Sequence, residues 1–528
     1  MELDGAGLTC AQVHEVAYGG ARVTIASLDR ARAAWATAQE LTGPVYGRST
    51  GVGANRDIVV TGAGLDLLRS HAIAAGPPLP PARARAMLVV RLNQLLAGGS
   101  GVDPAVCLAL AQAIDEGWTP PLHTYGAIGT GDLTALATTA LCLLGEIPWN
   151  HDKMDGGPRH NLTSADALPF ISSGAATLAD AAIACHRLRI LLDATVDVAM
   201  MSFTAVDASP EPLAAVVQEA RPHPGQAAVA ARLRGLLAHD PTPRIQDPYG
   251  FRAFAQVHGA ALDALDRAVT TIETDLNAAT ENPLFAASLA WHNGNFHSAP
   301  VALALDALRA ALVQTAQLST ARLATLMDPS YTGRLPFLAD RAGASGALIL
   351  EYVAQDALAD LRHLANPATT GTAVISRGVE DHAGFATQAA RHTLRCVEPL
   401  ELVLACERTA AARALGSPAP DRPLTEDLEH SRHVLSAGGS VSGLSAGASV
   451  SGPSAGGSVS GLSGGASLSG PSAGGNVSGH PGDGPALPER GLLHDAPPPG
   501  AAVGRRRDEP HRGPDDARDV PVDGGEPW

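Results

Sequence analysis

A turn in the first third of the sequence holds the residues best suited to chemistry. Thr130 lies between Gly129 and Gly131, and a long apolar helical pattern follows Asp132. Glycines let the backbone turn tightly, and the unpaired N–H groups at a helix N-terminus favour negative charge that develops near them. We therefore expect a turn with an exposed carbonyl and hydroxyl at the start of a helix.

A second candidate lies in a glycine-rich loop at 45–53, which contains one aromatic hydroxyl residue, Tyr46. The pattern alone is also compatible with an ordinary turn that packs a tyrosine. Because a free tyrosine has a pKa of about 10, Tyr46 could act as a base at neutral pH only in a site that stabilises its phenolate. Nearby cations or the positive ends of helices would provide that stabilisation.

Charged side chains later in the chain could bind a substrate. Tyr249 and Arg252 follow Gln246, are three residues apart and would share one face of a helix. The arginine fork can hold a carboxylate in a bidentate manner. Glu380, in the segment 379–382, could pair with a cationic group or act as a second base. The alternatives are a surface Tyr–Arg pair at the first position and an acidic helix N-terminus at the second.

Composition and charge limit the classes of function. The chain has 528 residues, a 45% apolar fraction and a formal net charge of −16, which argues against a nucleic-acid or acidic-membrane partner. Its six cysteines form no close pairs, so reduced core cysteines are favoured over disulfides or metal ligands. The N-terminus lacks a leader pattern, and no uninterrupted apolar stretch has membrane length. We expect a cytoplasmic protein with neither a metal nor a nucleotide cofactor.

The spacing of apolar residues predicts an all-α fold from about residue 10 to 432. Apolar residues recur three and four positions apart, and Pro and Gly punctuate the joins. Long helices with alanine-rich faces are typical of a bundle in which backbones approach closely. The strongest strand signal is the segment 22–26. The predicted helices span 62–75, 83–98, 104–116, 131–146, 164–195, 225–238, 248–277, 298–327, 341–365 and 381–413.

The composition changes after residue 432. An 18-residue unit that begins at Ser436 recurs from Ser454 and starts again at Ser472, and a segment rich in Pro, Gly, Asp and Arg follows. Such sequences bury too little apolar surface to offset the entropy of ordering. We therefore expect a helical domain over 1–432 and a disordered tail over 433–528. A β-solenoid is the alternative for the repeat.

Several of these segments together resemble the aromatic amino acid ammonia-lyases, the family of histidine, phenylalanine and tyrosine lyases. The turn at 129–133 is similar to the family's Ala-Ser-Gly-Asp-Leu, and the Tyr46 loop to Tyr-Gly-x-Asn-Thr-Gly-Phe-Gly. The segment 246–252 resembles Gln-Asp-Pro-Tyr-x-Leu-Arg, and 379–382 resembles the Gln-Glu-Asp-His of histidine lyases. The resemblance covers roughly residues 40 to 410.

The resemblance implies a role for each candidate residue. The tripeptide of Gly129, Thr130 and Gly131 would cyclise and dehydrate into an imidazolone-type prosthetic group whose electrophile loads the substrate amine. Tyr46 would remove the β-proton, and Tyr249 and Glu380 would assist with charge and with the leaving group. The substrate-binding residues implied are Arg252 for the carboxylate, His71 for the side chain, Phe337 near the electrophile, Ser173 where the family has an Asn that contacts the ring, and Gln246.

The chain departs from the family's pattern at its electrophile. Gly129 and Thr130 replace Ala and Ser, so dehydration would give an exocyclic ethylidene whose extra methyl group crowds the reactive carbon. Ser173 is shorter than the family's Asn and lacks its amide fork, and Val379 replaces a Gln.

For the whole chain, the resemblance implies an all-α ammonia-lyase fold in a homotetramer whose sites are shared between subunits. The implied function is elimination of ammonia from an aromatic or histidine-like L-amino acid. One alternative is a 2,3-aminomutase on the same substrate class, because it shares the loading and elimination steps. The other is a homologue that binds an amino-acid-like ligand without catalysis, or that reacts without the ring.

Overall fold

The structure, a computed structural model, describes residues 1–60, 64–151, 156–237 and 244–437, and these residues are predominantly α-helical. Proline occupies the first turn of several helices, where its missing N–H costs no hydrogen bond. The helices are α1 Cys10–His14, α2 Asp29–Glu40, α3 Gly64–His71, α4 Pro81–Ala97, α5 Ala105–Glu116, α6 Leu133–Leu144, α7 Ala167–Ile171, α8 Ala175–Ala205, α9 Ala215–Glu219, α10 Pro224–Leu236, α11 Tyr249–Arg252, α12 Phe254–Leu276, α13 Ala299–Leu326, α14 Pro329–Thr332, α15 Ile349–Leu364, α16 Ala386–Arg395, α17 Val397–Leu415 and α18 Thr425–Ser436.

Two small β-sheets accompany the helices. Strand β1 (Glu2–Leu3) pairs in parallel with β2 (Thr24–Ile25). Strands β3 (Leu284–Ala286) and β4 (Leu289–Trp291) form an antiparallel hairpin just before α13. The hairpin matters for function because the chain that leaves it, from residue 292 to 298, returns to the cavity described below.

Four long helices form the centre of the bundle, and they contact one another in the cyclic order α8, α12, α13, α17. Each contributes small, fully or nearly fully buried residues to these contacts, including Ala182, Ala199, Ala264, Ala316 and Ala405. Small side chains let the helix axes approach closely, so that the core packs densely despite its low aromatic content. The long helices therefore form the rigid frame on which the shorter connecting segments are held.

Two helical segments, Ala167–Ala205 and Ala299–Leu326, are long and apolar enough by length and composition to cross a membrane. In the first, 94% of the most apolar window is buried inside the protein, and in the second 50%. The first segment is in fact two helices, α7 and α8, separated by a break. Burial in the bundle accounts for the apolar character of α8.

A charged cluster lies inside the bundle, where α8, α13 and α17 meet. The carboxylate of Glu407 accepts hydrogen bonds from Nε and Nη2 of Arg322 at 2.6 and 2.8 Å. It also accepts the hydroxyls of Ser202 at 2.6 Å and Ser319 at 2.5 Å. Both members of the ion pair have fully buried side chains. Because every oxygen of the carboxylate is paired, the bundle tolerates a charge that would otherwise be costly to bury.

The structure confirms the predicted all-α fold and places β2 within the predicted strand. Several predicted helices are wrong in extent, because each is interrupted or shortened: 62–75 ends at His71, and 341–365 begins only at Ile349. The segment 164–195 is split at 172–174, the segment 248–277 is split at Ala253, and 381–413 begins only at Ala386 and breaks at Cys396. The helices α2 and α18 and the β3–β4 hairpin were not predicted. Helix α18 runs to Ser436, past the predicted boundary at 432, and residues 438–528 of the predicted tail lie outside the described residues.

Candidate active site

A cavity of about 280 Å³ lies where four of the predicted site residues meet. Tyr46, His71, Thr130 and Glu380 all line it, although they come from positions far apart in the sequence. The cavity is also lined by Val52, Gly53, Leu67, Leu133, Leu168, Ile171, Ser172, Asn282, Phe296, His297, Val379, Asp381 and His382. It thus combines an apolar wall with converging hydroxyl, imidazole and carboxylate groups, which is the pattern of a small-molecule site.

The turn at 128–131 is held by backbone donors from two other segments. The N–H of Ser298 donates to the carbonyl of Gly129 at 3.2 Å, and the N–H of Phe385 donates to the carbonyl of Ile128 at 2.9 Å. Gly129 has φ +91°, and a Cβ there would lie 2.5 Å from the nitrogen of Ala386. Glycine is therefore required in this conformation, because the backbone of 385–386 occupies the space of a side chain.

This geometry fits the imidazolone-type group that the tripeptide would form. Gly131 has φ +119°, where a Cβ would make only van der Waals contacts of 3.6 Å or more, and Thr130 lines the cavity. The carbonyl of Gly129, which the Gly131 nitrogen would attack, already accepts a hydrogen bond from Ser298. The residues present are thus compatible with ring formation at the cavity wall.

Asp132 fixes the other end of the turn. Its backbone N–H donates to the carbonyl of Ser173 at 2.8 Å, and its buried carboxylate accepts the N–H and the hydroxyl of Thr177 at 2.7 and 2.8 Å. The Thr177 hydroxyl also contacts that of Thr387 at 2.7 Å. Burial raises the pKa of Asp132 to about 6, although the Thr177 hydrogen bonds oppose this shift. The starts of α6, α8, α13 and α16 therefore meet around the turn.

Ser173 does not occupy the substrate-facing position implied for it. Its hydroxyl donates to Oε1 of Gln94 at 2.6 Å and accepts the N–H of Ala175 at 3.0 Å, and the residue is fully buried. The side chain thus forms a local hydrogen bond two residues on, just before α8, whose N-cap residue is Gly174. Ser173 reaches the turn only through its carbonyl, which accepts the N–H of Asp132.

The Tyr46 hydroxyl lies beside Gly53 and Glu380. The N–H of Gly53 donates to the hydroxyl oxygen of Tyr46 at 2.8 Å, and a Cβ on Gly53 would lie 2.9 Å from Oε1 of Glu380. Burial raises the pKa of Tyr46, the Gly53 hydrogen bond lowers it, and the negative charge of Glu380 raises it further. The positive charge of Arg56 also lowers the pKa of Tyr46, but it does not offset burial, so the net shift is upward.

His71, the last residue of α3, is fixed by its own helix. Its Nδ1 lies 2.8 Å from the carbonyl of Leu67 and 3.1 Å from the Ser70 hydroxyl. Because a carbonyl only accepts hydrogen bonds, this contact assigns the proton of a neutral ring to Nδ1. Nε2 then remains as an acceptor, on a ring that lines the cavity.

Two histidines and an asparagine that line the cavity, and a third histidine beside Tyr46, were not singled out from the sequence as site residues. His297 Nε2 lies 2.9 Å from His382 Nδ1, and both rings line the cavity. His292 Nε2 accepts the backbone N–H of Tyr46 at 3.2 Å, and Asn282 lines the cavity beside Ser172. Their sequence signals are resemblances of whole segments: 280–285 is similar to the family's Asp-Asn-Pro-Leu, 292–297 to its Gly-Gly-Asn-Phe-His, and 379–382 to its Gln-Glu-Asp-His.

The four other predicted residues are not at this cavity within one chain. Gln246 and Tyr249 are exposed, and Tyr249 is 69% accessible. The guanidinium of Arg252 lies 4.5 Å from the centre of the Tyr249 ring, and it forms no ion pair with any described residue. Phe337 is half-buried against the bundle, with φ +59°. The described chain thus contains two separate groups of predicted site residues.

A metal centre was not expected from the sequence. Among residues 1–60, 64–151, 156–237 and 244–437, no group of three or more His, Cys, Asp or Glu side chains is placed to hold a metal ion. The six cysteines are all buried and unpaired as thiols.

Comparison with known proteins identifies the family and the fold. A family profile described as aromatic amino acid lyase matches residues 8–436. Histidine ammonia-lyase from Geobacillus thermodenitrificans is 35% identical over 460 residues, which cover 81% of this chain and 91% of the relative. Histidine ammonia-lyase from Trypanosoma cruzi superposes with a TM-score of 0.75 at 27% identity, over 83% of this chain and 93% of that one. Tyrosine aminomutase from Streptomyces globisporus superposes with a TM-score of 0.76 at 26% identity. The match covers 83% of this chain and 97% of the aminomutase.

These matches extend over the whole described bundle and include every segment that lines the cavity. The relatives named are two histidine ammonia-lyases and a tyrosine aminomutase. The chain is therefore a carbon–nitrogen lyase that belongs to the aromatic amino acid lyase family. Its relatives include ammonia-lyases and aminomutases.

Proposed function

We propose that the protein eliminates ammonia from an aromatic or histidine-like L-amino acid, with L-histidine as the first candidate. The observation that carries the proposal is the meeting of Tyr46, His71, Thr130 and Glu380 at one cavity. A carboxylate and an imidazole acceptor at the same wall suit a substrate whose side chain is a protonatable ring. The curated relative at 35% identity is named histidine ammonia-lyase, which supports the same choice.

In this proposal Tyr46 removes the β-proton, and the N–H of Gly53 stabilises the phenolate that this role requires. Glu380 lies close enough to the same glycine to act on the substrate's ring or its amine. His71 would accept a hydrogen bond from the substrate's ring through Nε2. The apolar wall formed by Leu133, Leu168 and its neighbours would exclude water from the reacting atoms.

The prosthetic group would be held by Gly129, Thr130 and Gly131. It would supply an electrophile toward the substrate amine. The residues of the chain then have to orient the amino acid so that its β-hydrogen faces the Tyr46 oxygen.

The substrate carboxylate needs a cation, and neither Lys nor Arg is among the described residues that line the cavity. Arg252 is half-buried beside the exposed ring of Tyr249 and forms no ion pair with the described residues. A second copy of the chain could bring this pair to the cavity. We therefore propose a homotetramer with shared sites, in which Tyr249, Arg252, Gln246 and Phe337 complete a cavity of another subunit.

The primary experiment is incubation of the purified protein with L-histidine, L-phenylalanine and L-tyrosine. Elimination is followed by the absorbance of the conjugated product and by released ammonia. We expect ammonia and an unsaturated acid from L-histidine. A β-amino acid without released ammonia would instead establish the aminomutase alternative, which the superposition on tyrosine aminomutase makes the second candidate. Absence of both products with all three amino acids would contradict the proposal.

Shared sites can be tested by co-expression of two inactive variants, Tyr46→Phe and Arg252→Lys. If the two residues come from different subunits, mixed oligomers contain some sites in which both are intact, and about a quarter of wild-type activity is expected at equal expression. If both residues act from one chain, every site remains defective and no activity returns. Mixing the two purified variants without unfolding is the control, because subunits then stay in their original oligomers.

A further inference from the structure

The turn that carries Thr130 is held by two segments that are distant in the sequence. One is the chain just before α13, where Ser298 donates to the carbonyl of Gly129. The other is the chain just before α16, where Phe385 donates to the carbonyl of Ile128. The position of the turn therefore depends on how these two segments are placed relative to one another.

The two segments are joined by a contact between two histidines. His297 immediately precedes Ser298, and His382 lies three residues before Phe385. Nε2 of His297 and Nδ1 of His382 are 2.9 Å apart, and the ring centres are 5.0 Å apart. Within the part of the chain that the structure describes, this is the only side-chain hydrogen bond between 292–298 and 376–385.

The segment that carries His382 is one that needs such support. Ser376, Arg377 and Phe385 all have φ between +50° and +56°, a region that non-glycine residues rarely adopt. His382 itself is exposed. The ring of His297 also packs closely on this segment, because a Cβ on Gly384 would lie 3.0 Å from its Cε1. A strained segment keeps one conformation only where its surroundings determine it.

We propose that the His297–His382 hydrogen bond is a clasp that positions the turn for formation of the prosthetic ring. This inference rests on the proposed function, since it assumes that the ring forms. Both histidines are positioning residues, which act through the Ser298 and Phe385 N–H groups and not by contact with the reacting atoms. The clasp connects His297 and His382 to each other and, through their neighbours, to Gly129 and Ile128.

The chemistry explains why the position of the donors matters. The amide nitrogen of Gly131 attacks the carbonyl carbon of Gly129 and forms a new C–N bond. The Gly129 oxygen takes on negative charge and then leaves as water with the protons of the Gly131 and Thr130 amides, and a C=N double bond forms between the Gly129 carbon and the Thr130 nitrogen. Loss of the Thr130 Cα hydrogen and its hydroxyl as a second water forms the exocyclic double bond. No oxidant or reductant is needed, and the Ser298 N–H is the donor placed to stabilise the charge on the Gly129 oxygen.

The experiment measures ring formation directly, without reference to turnover. The full-length wild type and the variants His297→Leu, His382→Leu and their double variant are digested, and the peptide that contains Thr130 is weighed. The mature peptide is lighter than its sequence by two waters. We expect each leucine variant to reduce the mature fraction at a fixed time after synthesis by several-fold, and the double variant to be no worse than the singles.

Conservative variants separate positioning from a general effect on folding. An asparagine amide can occupy the place of Nδ1, and a glutamine amide the place of Nε2, so His382→Asn and His297→Gln should retain much of the ring. The control is His186→Leu, because His186 contacts the ring of His14 at 4.3 Å between ring centres, outside the cavity. It should leave the mature fraction unchanged, and the thermal midpoint is recorded for every variant.

The outcomes distinguish this inference from the proposed function. Leucine variants that mature as completely as wild type would overturn the clasp and leave the proposed function intact. Equal losses of ring in His186→Leu, or losses that only follow a lowered thermal midpoint, would also overturn it. A wild-type peptide of unmodified mass would contradict the ring-dependent function itself and the clasp with it.

Discussion

The backbone N–H of Gly53 donates a hydrogen bond to the hydroxyl oxygen of Tyr46 at 2.8 Å, so the loop that carries the candidate base also carries its hydrogen-bond donor. This donor favours the phenolate, but burial and the charge of Glu380 have the larger combined effect and raise the pKa of Tyr46 above its usual value of 10.0. The two residues therefore define how the activity of the enzyme should depend on pH.

If Tyr46 is the base, only its deprotonated form is active. Because its pKa lies above 10.0 in the isolated chain, the phenolate fraction rises about tenfold per pH unit throughout the neutral and mildly alkaline range. We expect kcat at saturating substrate to rise with pH from 7 to 9, and Tyr46→Phe to lower it by about 10²- to 10⁴-fold. A kcat that is independent of pH over this range would mean that a partner subunit supplies a cation to the phenol.

The electrophile turn provides a second prediction. Thr130→Ser removes the methyl group that would crowd the reactive carbon, and Ser keeps the hydroxyl that must leave. We expect kcat to increase on the order of tenfold, which corresponds to about 1.4 kcal/mol in the barrier. The measurement is kcat per mature site, with the mature fraction taken from the mass of the peptide. A lower kcat at equal maturation would show that the methyl group assists.

Gly129→Ala, the other step toward the family's Ala-Ser-Gly, should have the opposite effect. The added Cβ would meet the nitrogens of Ala386 and Phe385 at 2.5 and 2.9 Å, in a backbone conformation with φ +91°. Alanine in the left-handed region costs about 1 kcal/mol or more before any clash is counted. We expect a lower thermal midpoint and less mature peptide than in Thr130→Ser. Full maturation of Gly129→Ala would mean that the start of α16 can move away from residue 129 at little energetic cost.

The buried pair of Arg322 and Glu407 predicts an unusual order of stabilities. Arg322→Met leaves the Glu407 charge buried with only two serine hydroxyls and should cost about 3 to 5 kcal/mol. The double variant Arg322→Met/Glu407→Leu carries no buried charge, so we expect it to be more stable than the single one. Arg32→Met is the control, because its pair with Asp29 is exposed and contributes little. Chemical unfolding of all variants at one pH tests the order.

His258 predicts how stability responds to acid. Its ring is fully buried, stacks on Phe254 and donates from Nε2 to the carbonyl of Leu192 at 2.9 Å. Burial lowers its pKa from 6.5 to about 3. Between these values the unfolded chain binds a proton that the folded chain does not, so stability is lost as pH falls below 6.5, by about 1.4 kcal/mol per unit.

His258→Gln keeps a donor for Leu192 but cannot titrate. At pH 7 we expect the variant to be less stable than wild type, and at pH 4.5 the difference should narrow by about 2 to 3 kcal/mol. The exposed His223→Gln is the control and should keep a constant difference from wild type. If the difference in the free energy of unfolding between His258→Gln and wild type is the same at both pH values, His258 becomes protonated without unfolding.

The sequence predicted the bundle because apolar periodicity survives in long helices, and it missed elements where that signal fails. Helix α2 buries only Ala31, Ala34 and Ala38, so its apolar face is too weak to stand out among charged residues. The break at Ser172–Gly174 was missed for the opposite reason, since the residues on both sides are apolar and buried. The break is fixed by a hydrogen bond that the Ser173 hydroxyl donates to Gln94 and by one that the Ser173 carbonyl accepts from Asp132. Local periodicity cannot reveal either contact.

Site residues could be predicted where a local sequence motif marks them. They could not be predicted where their role depends on contacts with residues far away in the sequence. Tyr46, His71, Thr130 and Glu380 were placed at one cavity by their motifs. Ser173 was assigned to the site because it stands where the family has an Asn, and the hydrogen bond of its hydroxyl to Gln94, 79 positions away, could not be predicted. The contact between His297 and His382 spans 85 positions and needed the folded structure to be recognised.

The close approach of α16 to Gly129 also constrains the order in which mutations can accumulate. Serine at position 130 can be reached in one step without disturbing any neighbour, whereas alanine at 129 requires that residues 385–386 first move away. While residues 385–386 pack against Gly129, a variant with alanine at position 129 is the least stable of the possible intermediates. Selection therefore retains the glycine. Directed evolution toward an Ala-Ser-Gly electrophile would have to select changes in α16 before changes in the tripeptide itself.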